Sequence, residues 1–307
     1  MTERPFRFSL HSSVAPSMDA WRERARTAEG LGYSALYLTD HLDAQFGRLV
    51  AATVAAEVTT TLHVGTLVLN NDLRNPVVLA KEIATLGLAA PGRIEVGLGG
   101  WLRSDYDETG VSYENPRTRV ERLAESLQIQ REQWGSGEST FDGRPYSVNR
   151  AQCEPRPDAL PRVIVGGGSK GVLTVASLEA DIVGINTSLS SGEKGGDISS
   201  AAALDHFDQC LDWVREAAGD RFSSLEIQIT TFAVSVVPSS RAAARSATML
   251  GFPGENALDL PILLIGTEVE LCDRLLERRE RWSFSNIVVP SEAMEVFAPM
   301  VARMNGH

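Results

Sequence analysis

Strand and helix patterns alternate along the whole chain, and this alternation restricts the fold more than any other feature. Short apolar or β-branched runs, typical of buried strands, are followed by stretches with apolar residues every three or four positions, typical of helices. Parallel strands joined by covering helices produce that order. Eight strands are predicted, at Phe6–Leu10, Ala35–Thr39, Leu62–Val68, Arg93–Leu98, Arg162–Gly166, Ala180–Ile185, Leu225–Val236 and Asn286–Pro290.

Eight such units favour one closed (β/α)8 TIM barrel of the α/β class over two separate domains. The chain has 307 residues, and α/β barrels commonly exceed about 250 residues as a single domain. We therefore expect one domain over residues 1–307. Helix start signals agree, because Asn75-Pro76 and Asn115-Pro116 each place a side-chain acceptor before a proline, and Thr267-x-x-Glu270 has the capping-box pattern.

Composition excludes several classes of partner and site. With 29 Lys+Arg and 40 Asp+Glu the net charge is −11, which argues against a nucleic-acid partner. No apolar run approaches the roughly 18–20 residues of a membrane span, and Met1–Leu10 lacks the apolar core of a signal peptide. A cytoplasmic protein is expected. Cys153, Cys210 and Cys272 form no C-x-x-C pair, so we expect reduced, structural thiols.

Two segments interrupt the alternation. Gly135–Pro161 is rich in Gly, Pro and polar residues, which predicts a small hairpin inserted before the fifth strand. Asn186–Ser200 has no apolar period and predicts a mobile loop. In a barrel, both are expected to start on or near the carboxyl-terminal rim, where ligands bind. Substrate identity depends on such variable segments and is not predicted.

The Gly166–Gly171 run is the sharpest binding signal. It follows a buried strand and opens a helix, so backbone N–H groups and the positive helix end converge, as a phosphate requires. The G-x-G-x-x-G spacing alone would suggest a Rossmann turn, but Asp181 lies too early to be that motif's acidic residue. A tight turn without a ligand is the alternative. Adjacent glycines cost more chain entropy than a turn needs, which favours a phosphate.

His41 follows the second strand and is expected at the barrel mouth. There an imidazole is suited to act as an acid, a base or a hydrogen-bond donor, the alternative being a structural histidine. A metal site is disfavoured, since His11 and His41 are the only strand-end histidines and no His-x-His follows the first strand.

Other rim candidates are less specific. Asn70 and Asn71 suit either the edge of a heterocycle or an ordinary turn. Trp101 suits a flat wall for an aromatic ring, or simple packing on the rim. A charged loop of solvated side chains, rather than catalytic groups, is expected at Arg103, Asp105 and Glu108.

Seven short motifs resemble the bacterial-luciferase-like oxidoreductases, in the branch that uses the deazaflavin coenzyme F420 in place of FMN. They occur in that family's order and span nearly the whole chain. The motifs are Tyr37–His41, Leu62–Val68, Asn75-Pro76 through Ala80-Lys81-Glu82 to Gly92-Arg93, Val96–Trp101, Arg117–Trp134, Pro161–Gly168 and Ile265-Gly266-Thr267.

The resemblance implies a barrel that is usually a homodimer, with the coenzyme ring at the carboxyl-terminal mouth. A non-proline cis peptide, here at Leu67–Val68, would support the ring, and His41 would lie near its reactive part. Lys170 or Lys194 would meet an acidic coenzyme tail. The implied cofactor-binding residues are Asp40, Leu67, Val68, Asn70, Gly97, Gly99, Trp101, Gly166, Gly167, Gly168 and Ser169.

The chain departs from the sugar-phosphate dehydrogenases of that family at two positions. Leu102 stands where they carry a glutamate acid, and Gln45 where they carry a tryptophan. We therefore expect hydride transfer between F420 and a small organic substrate, by reduction of a conjugated C=C or imine with His41 as proton donor. An FMN-dependent monooxygenase and a non-catalytic flavin-binding protein are the alternatives.

Overall fold

Eight parallel strands close into a barrel, which confirms the predicted (β/α)8 fold. The computed structural model describes residues 4–12, 14–42, 44–186, 204–252 and 257–307. The barrel strands are β1 (Arg7–His11), β2 (Ala35–Leu38), β3 (His63–Thr66) with its short continuation β4 (Leu69–Asn70), β5 (Ile94–Gly99), β8 (Arg162–Gly167), β9 (Ile182–Ile185), β10 (Glu226–Thr230) and β13 (Phe284–Pro290). Outside the barrel lie β6 (Glu138–Asp142) with β7 (Ser147–Gln152), and β11 (Ala233–Val236) with β12 (Leu263–Gly266). Pairing of β1 with β13 and of β3 with β5 completes the ring.

Helices cover the barrel, and their predicted start signals are confirmed. The Asn75 side chain accepts hydrogen bonds from the N–H groups of Val77 and Val78, and Thr267 and Glu270 form the reciprocal capping box. The described helices are α1 (Met18–Gly30), α2 (Arg48–Glu57), α3 (Pro76–Ala89), α4 (Arg103–Thr109), α5 (Pro116–Ser136), α6 (Lys170–Glu179), α7 (Leu204–Ala218), α8 (Ser240–Met249), α9 (Glu268–Trp282) and α10 (Met294–Met304). In the part of the chain that the structure describes, none of them has the length and apolar content to cross a membrane.

The prediction of one strand over Leu225–Val236 is wrong. The Thr231 N–H still donates to Val288 of the barrel, at 2.8 Å, but the N–H of Phe232 donates to Ile262, at 2.7 Å. The chain therefore leaves the barrel at this point, and β11 pairs with β12 instead.

The predicted hairpin is present as β6 and β7. It starts after the carboxyl end of α5, which is the amino-terminal end of the barrel, and its turn runs back along α5. There the Glu125 carboxylate accepts the N–H groups of Arg144 and Tyr146, and Tyr146 lies beside Asn71 on the rim. The insertion thus reaches the rim only through its turn. The predicted loop after Asn186 lies outside the described residues.

A network of charges fills the amino-terminal end of the barrel. Glu95 is fully buried, and its carboxylate lies 2.8 Å from an Arg7 nitrogen and 3.0 Å from an Arg162 nitrogen. Glu226 binds the same two guanidinium groups, at 2.8 and 2.6 Å. Four strands are joined by these pairs, because each residue lies at the start of a different strand.

Glu95 is held ionised by its neighbours. Burial opposes ionisation, but the hydrogen bond with His63 and the charges of Arg7 and Arg162 outweigh it and place the pKa of Glu95 well below its usual 4.5. Because the folded-state pKa is lowered, this stabilisation is fully present above pH 4.5 and is lost as the pH falls below it.

We therefore predict that Glu95→Gln lowers the free energy of unfolding by about 3 kcal/mol at pH 7, since the two arginines keep their charge without its partner. The difference from wild type should shrink below about pH 4.5. Urea unfolding followed across pH measures both. The matched control Glu121→Gln breaks only pairs with the exposed arginines Arg117 and Arg144 and should cost less than about 1 kcal/mol. Equal losses in the two variants would contradict the assignment.

Candidate functional site

The carboxyl-terminal ends of the strands bring residues that are distant in sequence to one rim. Asn70 of β4 lies beside Gly99 of β5 in the parallel register. A Cβ placed on Gly99 would lie 3.8 Å from the carbonyl oxygen of Gly166. Asp40, which follows β2, accepts the backbone N–H of Asn70 at 2.8 Å. The glycine run and the Asp40–His41 pair therefore share a rim.

The peptide bond between Leu67 and Val68 is cis, as the family resemblance implied. The loop after β5 packs directly on it. A Cβ on Gly97 would overlap the carbonyl oxygen of Thr66 and lie 2.8 Å from Val68 Cγ1, so only glycine fits there. The lack of side chains at Gly97 and Gly99 thus allows β5 to lie close to β3 and to the cis peptide bond that follows it.

The run that includes Gly166, Gly167 and Gly168 ends β8 and leads into α6. A Cβ on Gly167 would lie 2.8 Å from Val172 Cγ1, so this glycine is explained by the packing of α6 on the strand. Ser169 is the N-cap residue, yet its side chain makes no capping hydrogen bond. The first-turn N–H groups of α6 thus have no side-chain cap within the described residues, which suits an anion.

His41 has a buried carboxylate beside it. Its Nδ1 lies 3.4 Å from Asp105 Oδ2, and its side chain is 31% exposed while that of Asp105 is 5% exposed. The prediction that Asp105 belongs to a solvated loop is wrong, whereas Arg103 and Glu108 are exposed as expected. The missed signal is the helical spacing of Leu102, Asp105 and Tyr106, which share the buried face of α4.

This pair is chemically useful. A carboxylate at Nδ1 fixes the orientation of the ring and leaves Nε2 as the nitrogen that exchanges a proton with a ligand. His11, at the end of β1, is a second rim imidazole, and sequence reasoning gave it no role beyond metal binding. Burial lowers the pKa of His11 below 6.5, against an opposing effect of Glu292.

Asp40 is a buried anchor of the rim. Arg74 Nη1 lies 2.6 Å from one carboxylate oxygen, which also accepts the Asn70 N–H, and Arg74 Nη2 lies 3.1 Å from the other. Arg48 Nε lies 3.3 Å from that second oxygen. Protein donors surround both oxygens, so Asp40 is placed to position the rim rather than to contact a ligand directly.

Several buried polar atoms on this rim have no hydrogen-bond partner within the described residues. They are the Asn70 Nδ2 and Trp101 Nε1 donors and the Asn71 Oδ1 acceptor. Buried polar groups are almost always paired, so unpaired ones at a mouth indicate a polar ligand. A heterocycle with carbonyl and N–H edges fits them. Neither here nor elsewhere among the described residues do three His, Cys, Asp or Glu side chains form a group that could hold a metal ion.

These features define a (β/α)8 barrel protein with a candidate small-molecule site at its carboxyl-terminal mouth. A family model described as luciferase-like monooxygenase matches residues 4–258. The chain belongs to this family, in agreement with the resemblance deduced from its motifs.

Individual proteins that are similar in sequence or in structure agree with this family assignment. An F420-dependent glucose-6-phosphate dehydrogenase of Kineococcus radiotolerans is 28% identical over 66% of this chain, which spans 61% of that relative's length. Among solved structures, the coenzyme F420 dependent tetrahydromethanopterin reductase of Methanopyrus kandleri superposes with a TM-score of 0.77 at 16% identity, covering 98% of this chain and 99% of that one. A monooxygenase from Streptomyces bottropensis superposes with a TM-score of 0.75 at 17% identity, covering 97% of this chain and 99% of that one. The structural matches establish the fold.

The anchoring role of Asp40 predicts a stability effect. Asp40→Asn should lower the free energy of unfolding by about 1–3 kcal/mol, because the buried Arg48 and the partly buried Arg74 lose their anionic acceptor. Thermal and urea unfolding without ligand measure this loss. Asp107→Asn, at an exposed position on α4, is the control and should be neutral. Unchanged stability with weaker ligand binding would instead show Asp40 to be a direct ligand contact.

Proposed function

We propose that this protein is an oxidoreductase that transfers a hydride between coenzyme F420 and a small organic molecule. One observation carries the proposal. The His41 imidazole, oriented by the buried Asp105, shares a rim with the uncapped start of α6 and with hydrogen-bond donors of Asn70 and Trp101 that have no partner among the described residues. The curated relative that is named F420-dependent supports the choice of coenzyme.

The chain's own residues would divide the work as follows. The first-turn N–H groups of α6 would hold a phosphate, and Asn70 and Trp101 would meet polar atoms of the ring. F420, when bound, supplies a ring carbon that accepts or donates hydride. His41 gives or takes the accompanying proton at Nε2, while Asp105 keeps Nδ1 occupied. The barrel mouth holds the substrate against the ring and excludes water.

The class of reaction follows from two positions on the rim. Leu102, which replaces the glutamate acid of the sugar-phosphate dehydrogenases, is 8% exposed and cannot exchange a proton. Gln45, which replaces their tryptophan, accepts a hydrogen bond from Thr39 at 3.1 Å. We infer reduction of a conjugated C=C or imine in a small metabolite, with His41 as the proton donor, rather than oxidation of a sugar phosphate.

An FMN-dependent monooxygenase is the second candidate. The family description and the Streptomyces fold neighbour favour it, and the same phosphate site would serve either cofactor. A non-catalytic flavin-binding protein would have no need for an imidazole oriented by Asp105. The His41–Asp105 pair therefore favours an enzyme.

We also propose that the chain is one domain, acts in the cytoplasm and forms a homodimer. The three cysteines are free and buried, which suits a reducing compartment. Apolar side chains are exposed on the outer faces of two neighbouring helices, Val50 on α2 at 66% and Val78 on α3 at 57%. Such faces commonly lie in subunit interfaces.

The cofactor proposal predicts a binding order. The purified protein should bind F420 at least about tenfold more tightly than FMN, a difference of about 1.4 kcal/mol, with NADPH weaker still. Fluorescence titration with the three cofactors measures this order. A micromolar preference for FMN, with oxygen consumption on reduction, would replace the proposal by the monooxygenase. Binding without any turnover would favour the non-catalytic alternative.

The proton-donor role predicts a separation of rate from affinity. His41→Ala should lower turnover about 100-fold or more and leave the Kd for F420 within about tenfold, since the imidazole acts on the proton. Cyclohex-2-enone is a suitable activated-alkene probe, with oxidation of reduced F420 followed by absorbance.

Asp105→Asn should lower turnover less than His41→Ala, because the imidazole remains but loses its orienting charge. Asp107→Asn lies on the same short helix, faces solvent and serves as the matched control, with turnover close to wild type. Unchanged turnover in His41→Ala would remove His41 from the mechanism.

A further inference from the structure

Arg119 is a buried cation for which the described chain supplies no anionic partner. It lies in the first turn of α5 and is 5% exposed. No carboxylate of the described residues pairs with it within 4 Å, and its Nε has no hydrogen-bond partner among them. Arginines that are this buried are normally paired, because an isolated charge is costly to remove from water.

Aromatic rings hold the guanidinium in place. Its central carbon lies 4.1 Å from the ring centroid of Tyr113 and 5.2 Å from that of Trp101. Tyr113 is in turn fixed by an edge-to-face contact with Tyr106, with centroids 4.8 Å apart. The rings stabilise the cation only partly and leave its Nε without an acceptor among the described residues.

The position of Arg119 places it beside the proposed phosphate site. The next residue, Val120, packs 3.8 Å from the position of a Cβ on Gly171, in the first turn of α6. On its other side lies Trp101, in the loop that follows β5, and Gly99 at the end of β5 adjoins Gly166. The start of α5 therefore lies between Trp101, in the loop after β5, and the first turn of α6, which places Arg119 near the point where an anionic group would leave the barrel mouth.

Of the two lysines suggested from sequence, Lys170 does not fill this role. Lys170 Nζ lies 3.0 Å from Glu216, in an exposed pair, so its charge is already matched. Lys194 lies outside the described residues. The nearby carboxylates are also engaged, Asp72 with the Tyr106 hydroxyl at 2.9 Å and Asp105 with His41.

We infer that Arg119 is the counter-charge for an anionic group, a phosphate or a carboxylate, of the molecule that binds at the rim. This rests on the proposed function and makes Arg119 the residue that distinguishes the complete coenzyme from its uncharged part. The aromatic rings pre-order the guanidinium, so little side-chain freedom is lost on binding.

The test compares two ligands in the full-length protein. One is F420, and the other is the same deazaflavin carrying only its ribityl chain, without phosphate or acidic tail. Wild type should prefer the complete coenzyme, and Arg119→Gln should reduce that preference by about tenfold or more while leaving the Kd of the truncated ligand within about threefold. Arg119→Lys should retain part of the preference, because it keeps the charge.

Two control variants and one competitor sharpen the result. Arg103→Gln removes an exposed arginine that lies 5.2 Å from the same Tyr113 ring, and Lys170→Gln removes the paired lysine; neither should change the preference. Inorganic phosphate should compete with F420 more strongly than with the truncated ligand in wild type, and this difference should vanish in Arg119→Gln.

The outcomes separate this inference from the proposed function. If Arg119→Gln weakens both ligands equally, the residue only supports Trp101 and Tyr113, and the inference is overturned. A wild type that binds both ligands equally also overturns it, while the coenzyme assignment stands. A wild type that binds neither refutes the proposed function itself. Should Arg119→Gln fail to fold, Arg119→Lys and the salt dependence of wild-type affinity decide, since a charge contact weakens with salt.

Discussion

The close approach of β3 and β5 is the constraint on which the rest of the barrel depends. A Cβ on Gly65 would overlap the carbonyl of Glu95, and one on Gly97 would overlap that of Thr66. Any side chain at either position would push the strands apart and open the ring. These strands meet without side chains between them. Towards the amino-terminal end of the contact Gly65 pairs with Glu95, and towards the carboxyl-terminal end Asn70 pairs with Gly99.

The two ends of the barrel differ in how their buried polar groups are paired. At the amino-terminal end, Arg7, Glu95, Arg162 and Glu226 satisfy one another, so this end is closed by charge pairing. At the carboxyl-terminal end, Asp40 is fully engaged, but donors on Asn70 and Trp101 have no partner among the described residues. Stability is concentrated at the first end. The unpaired donors at the second end support the placement of function there.

Local signals made much of the fold predictable, and tertiary contacts account for the failures. The cap at Asn75 and the capping box at Thr267 depend on residues within one turn, so the sequence determines them. Predictions failed where a partner distant in sequence decides the outcome. Phe232 turns away from the barrel because Ile262 offers an acceptor, and Asp105 is buried because α4 folds against His41. The resemblance assigns Gly167 to the cofactor, and the structure adds a packing reason for a glycine there, because an added Cβ would lie 2.8 Å from Val172 Cγ1.

The sequence by itself determined the alternation of strands and helices, hence the eight-stranded barrel, and it located the candidate residues after the strand ends. These features follow from periodicity and from chemistry within a few residues. Only the tertiary structure decided which of those residues are engaged by other protein groups and which can still bind a ligand. In the folded chain Asp40 pairs with two arginines, His41 lies beside Asp105, and Arg119 lies against the rings of Tyr113 and Trp101. The Asp40–Arg74 and His41–Asp105 pairs join positions 34 and 64 residues apart, and the energies of all these contacts depend on burial, which arises only when the barrel closes.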